Sequence, residues 1–305
     1  MAEMPVSKAN RIGFEISNAA LTGVVLDSQS AIVKSVHAAI ADSDSYLQQL
    51  IEMVEGLKSE FPDAERLGIA VSGLVDSKTG RVAFSANNPQ HATVDLCSVV
   101  KAATGLDVVV ENDANAAALA EFQLGAGRGS RDMFYVTLGT GVGGAFIFGG
   151  EIWRGVGGFA GEFGYVPINS EGTRIEDVAS AGNILRRTRE RILQDNTSSL
   201  SHLDQDEITL EAILSAAESD DDFARMMIER TGMYVGTGVA SVINLLNIER
   251  IVIGGEITSI QSLVLNAIRE RARELSFAPA YESTAIVEGE LGREASAIGS
   301  AMICG

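Results

Sequence analysis

Two stretches of the chain repeat one layout of apolar and polar positions. In the first, the apolar-rich run Arg11–Ile16 breaks at Ser17-Asn18-Ala19-Ala20, resumes over residues 21–26, turns at Asp27-Ser28 and returns at Ala31-Ile32-Val33. In the second, Met133–Leu138 breaks at Gly139-Thr140-Gly141, resumes over Val142–Phe148, turns at Gly149-Gly150 and returns at Glu151-Ile152-Trp153. Each layout predicts strand, tight turn, strand, turn, strand. A helix-spaced stripe follows each: Tyr46, Leu47, Leu50, Ile51, Val54 and Leu57 after the first, Ile184, Leu185, Ile192 and Leu193 after the second. Short apolar runs return at residues 67–71, 108–110, 251–253 and 284–287. Strands alternating with helices predict a largely parallel sheet in each half. The expected fold is therefore α/β: two domains of related topology with a ligand cleft between them.

Composition agrees with that size and class. The 305 residues correspond to about two domains at ~150 residues each. With 46% hydrophobic residues, an ordinary core can form. Lys and Arg number 23 against 41 Asp and Glu, a formal charge of −18. That balance argues against a nucleic-acid partner, which needs a basic face to displace phosphate counterions. It argues equally against docking on an anionic membrane. It leaves open an anionic ligand held in a local Gly-rich pocket, and with 32 Gly but only 5 Pro the glycines are not those of a disordered Pro/Gly tract. Two cysteines, Cys97 and Cys304, cannot by themselves build a disulfide framework or a thiolate zinc site. The polar start, residues 1–11, is too short for a signal peptide, and no apolar run approaches the ~18 residues of a membrane span. The expected setting is the reducing cytoplasm.

Asp220-Asp221-Asp222, followed by Phe223, Met226 and Met227, predicts a helix start favoured by the helix dipole. That helix, residues 223–247, carries Met226, Met227, Val235, Val239 and Val242 for the core or for the surface of a second copy. Gly232, Gly236 and Gly238 within it permit close helix packing, each costing about 1 kcal/mol relative to Ala.

Four segments carry candidate chemistry. Gly139-Thr140-Gly141-Val142-Gly143-Gly144 joins two strands, and glycines there let backbone N–H groups approach an anion. A tight hairpin is the alternative use. A strand rather than a helix follows, so the run is neither a Walker loop nor a dinucleotide fingerprint. Residues 108–110 lead straight into Glu111-Asn112-Asp113-Ala114-Asn115, which places Asp113 at a strand's carboxyl end beside a helix N-terminus, where α/β sheets hold ligands. A helix cap is the alternative for Asp113, worth about 0.5–2 kcal/mol, although Asn112 and Asn115 add more polar groups than one cap requires. Gly161-Glu162-Phe163-Gly164-Tyr165 follows the glycine run 155–158 and sets an acid in a loop. Residues 251–253 end in Gly254-Gly255-Glu256, a strand-to-helix turn that in a nucleotide-binding fold would clear space for a base.

In this order, the pieces resemble the ROK family of sugar kinases and sugar-responsive repressors, within the actin-like (ribonuclease H-like) superfamily. The matching residues are Ser72-Gly73, Asn87-Asn88-Pro89, residues 111–118, 139–144, Gly161-Glu162-Phe163-Gly164, residues 251–255 and Ala297-Ile298-Gly299-Ser300-Ala301, so the resemblance runs from Ile12 to Ala301. It implies a sugar-side lobe of residues 1–117 plus 292–305 and a lobe of residues 118–291 for nucleotide and dimerisation. Asp113 then matches the general base that accepts the proton of the attacking sugar hydroxyl. Ser72, Gly73, Asn88, Asn112, Glu162, Tyr165 and Glu176 match the substrate-binding positions, where carboxylates and amides suit adjacent sugar hydroxyls. Gly139, Thr140 and Gly141 match the β/γ-phosphate loop, and Gly254 and Gly255 the adenosine site.

Three departures stand out. The family's Asp-x-Gly-Gly-Thr-Lys phosphate motif aligns with Glu15-Ile16-Ser17-Asn18-Ala19-Ala20. Glu15 can still hold Mg²⁺ through water, but both glycines and the Thr are gone, in a chemistry that is mostly positioning and charge stabilisation. The family's zinc segment, Cys-x-Cys-Gly-x-x-Gly-Cys, is replaced by Asn169-Ser170-Glu171-Gly172-Thr173-Arg174, and the His after Glu-x-Gly, a zinc and sugar ligand, is Tyr165. With no thiolates and no His, zinc is not expected; His37, His91 and His202 are scattered.

The resemblance implies ATP- and Mg²⁺-dependent phosphorylation of a hexose or hexose-like sugar by a homodimer, with no nucleic-acid or membrane partner. The alternative is a sugar-binding sensor or regulator that has lost phosphoryl transfer. The family's repressors carry an N-terminal winged helix, and only about ten residues precede the first strand here, so a regulator of this kind would act without its own DNA reader.

Overall fold

The computed structural model describes residues 9–40, 45–76, 79–85, 92–259 and 261–304. They form two compact units. The first comprises Met1–Arg128, Phe146–Ala160 and Arg293–Gly305; the second comprises Gly129–Ala145 and Gly161–Gly292.

The chain begins with strands β1 (Arg11–Ile16), β2 (Ala20–Leu26) and β3 (Ile32–Ala39), then helix α1 (Tyr46–Glu60) and strand β4 (Arg66–Val71). A small hairpin, β5 (Leu74–Asp76) and β6 (Arg81–Phe84), precedes α2 (Leu96–Thr104), β7 (Asp107–Asn112) and α3 (Asp113–Leu124). The sheet order is β3-β2-β1-β4-β7. β1–β2 and β2–β3 are antiparallel, whereas β1–β4 and β4–β7 are parallel. The expectation of a largely parallel sheet is thus corrected to a half-parallel one. Short turns can join only antiparallel neighbours, while α1 and α2 supply the crossovers that parallel pairs require. The pleat sorts β1 residue by residue. Ile12, Phe14 and Ile16 join the core with Leu50, Val54 and Leu57 of α1. Gly13 faces the other way.

The second sheet repeats this plan. β8 (Met133–Leu138), β9 (Val142–Phe148) and β10 (Glu151–Trp153) are followed by α4 (Glu176–Ala179), α5 (Ala181–Ile192), α6 (Leu210–Glu218) and α7 (Asp222–Leu246). Then come β11 (Arg250–Gly254), α8 (Gln261–Leu275), α9 (Ala278–Glu282) and β12 (Ala285–Glu288). The order is β10-β9-β8-β11-β12, with β9–β10 antiparallel and β8–β11 and β11–β12 parallel. Asp221 caps α7 by accepting from the Ala224 N–H at 3.0 Å, as the acidic run predicts. Met227, Val235 and Val239 of α7 are buried, while Met226 is exposed. In the stripe expected near α5, Leu193 proves exposed, beyond the helix end.

The last helix, α10 (Ala295–Ile303), returns to the first unit and packs on β1, β4 and α3. The approach leaves no room for side chains. A Cβ on Gly68 would fall 1.8 Å from the Ser300 carbonyl oxygen, and one on Gly299 1.8 Å from that of Ala116. Among the described residues, no helix is long and apolar enough to cross a membrane.

Candidate functional site

In the first unit, the carboxyl ends of three strands lie in one row: Ile16 pairs with Val71, and Val71 with Asn112. Asp113 is the first residue of α3, and the cap is Asn112, whose Oδ1 accepts from the Asn115 N–H at 3.0 Å. The Asn112 amide spends its Nδ2 on the Gly73 carbonyl and on Asp113 Oδ1, each at 3.0 Å. Asp113 Oδ1 also accepts from the Ala114 N–H at 2.8 Å. One side chain thereby ties the loop after β4 to the carboxylate that opens α3. Ser72 stands in that loop, its carbonyl accepting from Ser85 Oγ at 2.7 Å. Asn88 and His91 lie outside the described residues.

Beneath Asp113 runs a polar network that the sequence did not announce. Buried Glu111 accepts from the Asn112 N–H and from Asn115 Nδ2 through Oε1, and from Arg154 Nε and Nη2 through Oε2, at 2.6–3.1 Å. Charge-assisted bonds from two guanidinium nitrogens are the strong kind, and they compensate a carboxylate that burial would otherwise penalise. The acid inside an apolar strand was the available signal; Arg154 had none.

The turn at the first degenerate motif is closed on itself. Ser17 Oγ accepts from the N–H groups of Ala20 and Ala19 at 3.0 and 3.4 Å, and the Ser17 N–H donates to the Ala20 carbonyl at 3.0 Å. Backbone N–H groups that a glycine turn would offer to phosphate are here given to a hydroxyl. Glu15 sits half-buried in β1, opposite Thr22 and Ala70.

In the second unit, the β8 and β11 ends also align, Thr137 opposite Gly254. A Cβ at Gly139 would meet nothing within 4 Å, and Thr140 beside it is exposed. The Gly139 carbonyl accepts from the Ala181 N–H at 2.8 Å, which ties the loop to the start of α5. Glu176 Oε2 accepts from the Val142 N–H at 3.0 Å and would lie 3.1 Å from a Cβ on Gly141. Protein already fills the space over the other glycine pair: the Tyr135 ring over Gly254 and the Leu138 backbone over Gly255, whose φ is +99°. Glu162 precedes a 3₁₀ turn, Phe163–Tyr165, and buried Phe163 packs edge-on against Phe134. Although its side chain reaches solvent, partial desolvation, then the nearby Glu176 charge, push the Glu162 carboxyl above the usual range. Tyr165 is half exposed beneath the Arg174 guanidinium. Among the described residues, no cluster of three or more His, Cys, Asp or Glu could hold a metal ion.

A family model described as the ROK family matches residues 11–305. The chain belongs to the ROK family. It is 32% identical over 262 residues to a glucokinase of Halalkalibacterium halodurans, covering 82% of this chain and 79% of that protein. It is 29% identical over 277 residues to a xylose repressor of Caldicellulosiruptor bescii, covering 85% and 68%. Among solved structures, the ROK family glucokinase from Streptomyces griseus in complex with glucose and AMPPNP matches with a TM-score of 0.87 at 29% identity, over 97% of this chain and 99% of that one. The two mixed sheets are those of the actin-like ATPase fold of ROK glucokinases. ROK relatives thus include enzymes and repressors, and residue chemistry must discriminate between those roles here.

Proposed function

We propose that the chain is a ROK sugar kinase that transfers the γ-phosphoryl group of ATP to a hexose or hexose-like sugar. The observation that carries this reading is the Asp113 carboxylate, fixed at the start of α3 by Asn112 and the Ala114 N–H. Asp113 takes the proton of the sugar hydroxyl as its oxygen bonds to the γ-phosphorus and the bond to the β-bridging oxygen breaks, releasing ADP. Glu162, Glu176 and Tyr165 orient the sugar with Asn88, Asn112 and the Ser72-Gly73 loop. The open side of Gly139 suits close approach of phosphate, with Thr140 and Gly141 beside it; Gly254 and Gly255 would meet the nucleotide through their backbone alone, because Tyr135 and Leu138 fill the side a Cβ would take. Mg²⁺, when bound, supplies charge neutralisation at the β- and γ-phosphates, and the Glu15 carboxylate suits a hydrated ion of that kind. The S. griseus glucokinase, with its glucose and AMPPNP, supports the choice of substrates. The proposed working form is a cytoplasmic homodimer, a state that sedimentation velocity reads.

Ser17 favours a second reading. A first phosphate turn whose N–H groups are already satisfied, in a chain also related to xylose repressors, suits a sugar sensor without phosphoryl transfer. The test is coupled ADP release with ATP, Mg²⁺ and a panel of hexoses, amino sugars and N-acetyl sugars. Turnover on one sugar, reduced about 10²–10⁴-fold in Asp113→Asn while sugar binding persists, is the expected result. Unchanged turnover in that variant refutes the base. A sugar that raises Tm with no ADP release on any panel member selects the sensor.

A further inference from the structure

The segment that stands where ROK members carry zinc thiolates forms a small closed hairpin. Pro167 and Arg174 bridge, the Ile168 N–H donates to the Thr173 carbonyl at 2.9 Å, and the Ile175 N–H to the Val166 carbonyl at 3.1 Å. Its tip is fastened by Asn169, which accepts from the Thr173 N–H through Oδ1 at 2.9 Å and donates to Thr173 Oγ1 through Nδ2 at 3.0 Å. Gly172 takes a φ of +80°, which the turn demands. The hairpin delivers Arg174 above Tyr165, guanidinium carbon 4.4 Å from the ring centroid. The Arg174 N–H donates to Asp177 Oδ2 at 2.9 Å, which fixes the backbone beneath it.

This donor set does not fit zinc. In place of thiolates the hairpin offers hydroxyl, amide and guanidinium groups and one exposed carboxylate, Glu171, which accepts from Ser170 Oγ at 2.7 Å; a single carboxylate makes no tetrahedral set, and a permanent cation covers the residue that stands at the histidine position. We propose that Tyr165 and Arg174 form a metal-free latch, with Arg174 acting through Tyr165 as a positioning residue for Glu162. The turn is then held at both ends. Phe163 is buried against Phe134, Tyr165 is gripped by Arg174, and the Tyr165 N–H donates to the Glu162 carbonyl at 3.1 Å. With the first and last residues of the turn fixed, the Glu162 carboxyl that precedes it is restricted to one side. Lysine preserves a cation over the ring whereas glutamine does not, so the latch discriminates between two flexible polar substitutions.

The inference rests on Glu162 as a sugar ligand, and the test separates the two claims. Arg174→Gln is expected to raise the sugar KM about two- to fivefold with kcat little changed, the effect of losing one solvent-exposed cation–π contact. Arg174→Lys should stay within about twofold of the parent, and Arg174→Gln should add nothing once Tyr165→Leu has removed the ring. Tm, and KM measured once Mg²⁺ is restored with ATP, should be unmoved by dialysis against EDTA. A KM for Arg174→Gln equal to the parent's, an additive effect in the Tyr165→Leu background, or a drop of Tm on chelation overturns the latch. Should the parent turn over no sugar, the kinase reading fails and the latch is read from hydrogen exchange at the Tyr165 and Val166 amides. Exchange faster in Arg174→Gln than in Arg174→Lys upholds it, and equal rates refute it.

Discussion

Burial and Glu176 both disfavour a charge on Glu162, so this carboxyl keeps its proton to a higher pH than an ordinary glutamate. The sign follows from the direction of the shift. The unfolded chain ionises Glu162 more readily, so its charge subtracts from stability at neutral pH, and that loss is relieved as pH falls through the raised value. In the proposed sugar site the carboxylate is the ligand, so sugar binding should behave oppositely. Glu162→Gln is expected to weaken sugar binding about 10- to 100-fold, the scale of a hydrogen bond to a charged group, without lowering Tm at neutral pH. Glu176→Gln should move the acid limb of binding to lower pH, which calorimetric titration across mildly acidic buffers reads directly. A lower Tm for Glu162→Gln, or an acid limb unmoved in Glu176→Gln, contradicts this account. Legibility at this scale was uneven. The place of Asp113 at the start of α3 could be read from the strand-to-helix junction. That Asn112 rather than Asp113 caps the helix could not, because either residue type suits a cap and backbone angles decide. Glu111 reads as an acid within an apolar strand, but its partner Arg154 lies 43 residues away and reaches it only through a folded hairpin. The loss of the first phosphate motif was visible as missing glycines; that Ser17 takes the vacated N–H groups is a fact of turn geometry.

Among the elements, glycines separate those packed backbone to backbone from those that merely tolerate a gap. On α7, a Cβ at Gly232 would lie 2.7 Å from both the Val264 carbonyl oxygen and Ala267 Cβ of α8. The carbonyl belongs to a helix backbone and cannot rotate away. Overpacking of about 1–3 kcal/mol then outweighs the ~1 kcal/mol that alanine gains in helix propensity. At Gly56 of α1 nothing lies within 4 Å, so propensity alone acts. Gly232→Ala is expected to lower stability by up to about 2 kcal/mol and Gly56→Ala to raise it by about 0.5–1 kcal/mol, read from denaturant midpoints. A common sign for the two would refute the packing argument. The strands and most helices were legible because their apolar spacing is regular. The tight turns of the two repeated layouts already implied antiparallel neighbours, and only the expectation of a largely parallel sheet, drawn from the alternation of strands and helices, overstated the parallel share.

Across the whole molecule, the same five-strand order appears twice, as the repeated layout in the sequence suggested. The first unit is discontinuous, for α10 arrives from the far end of the chain to lie on β1, β4 and α3. A chain ending at residue 292 retains every residue proposed for the site, yet it leaves the face of Gly13 and Gly68 uncovered. Such a truncation is expected to lose sugar binding and to shed the first unit's cooperative melting transition. Binding at parental affinity would show α10 to be dispensable.

That return of the last helix has a consequence in time. During synthesis the strands of the first unit emerge early, but the helix that covers one face of their sheet is made last. At ~5–20 residues per second, the stretch between Arg128 and Arg293 keeps that face open for on the order of ten to thirty seconds. The second unit, whose two segments are separated only by the short hairpin of β9 and β10, can complete itself first. Order of maturation is thus the reverse of order of translation, and the nascent first unit is the natural client of whatever shields apolar surface at the ribosome.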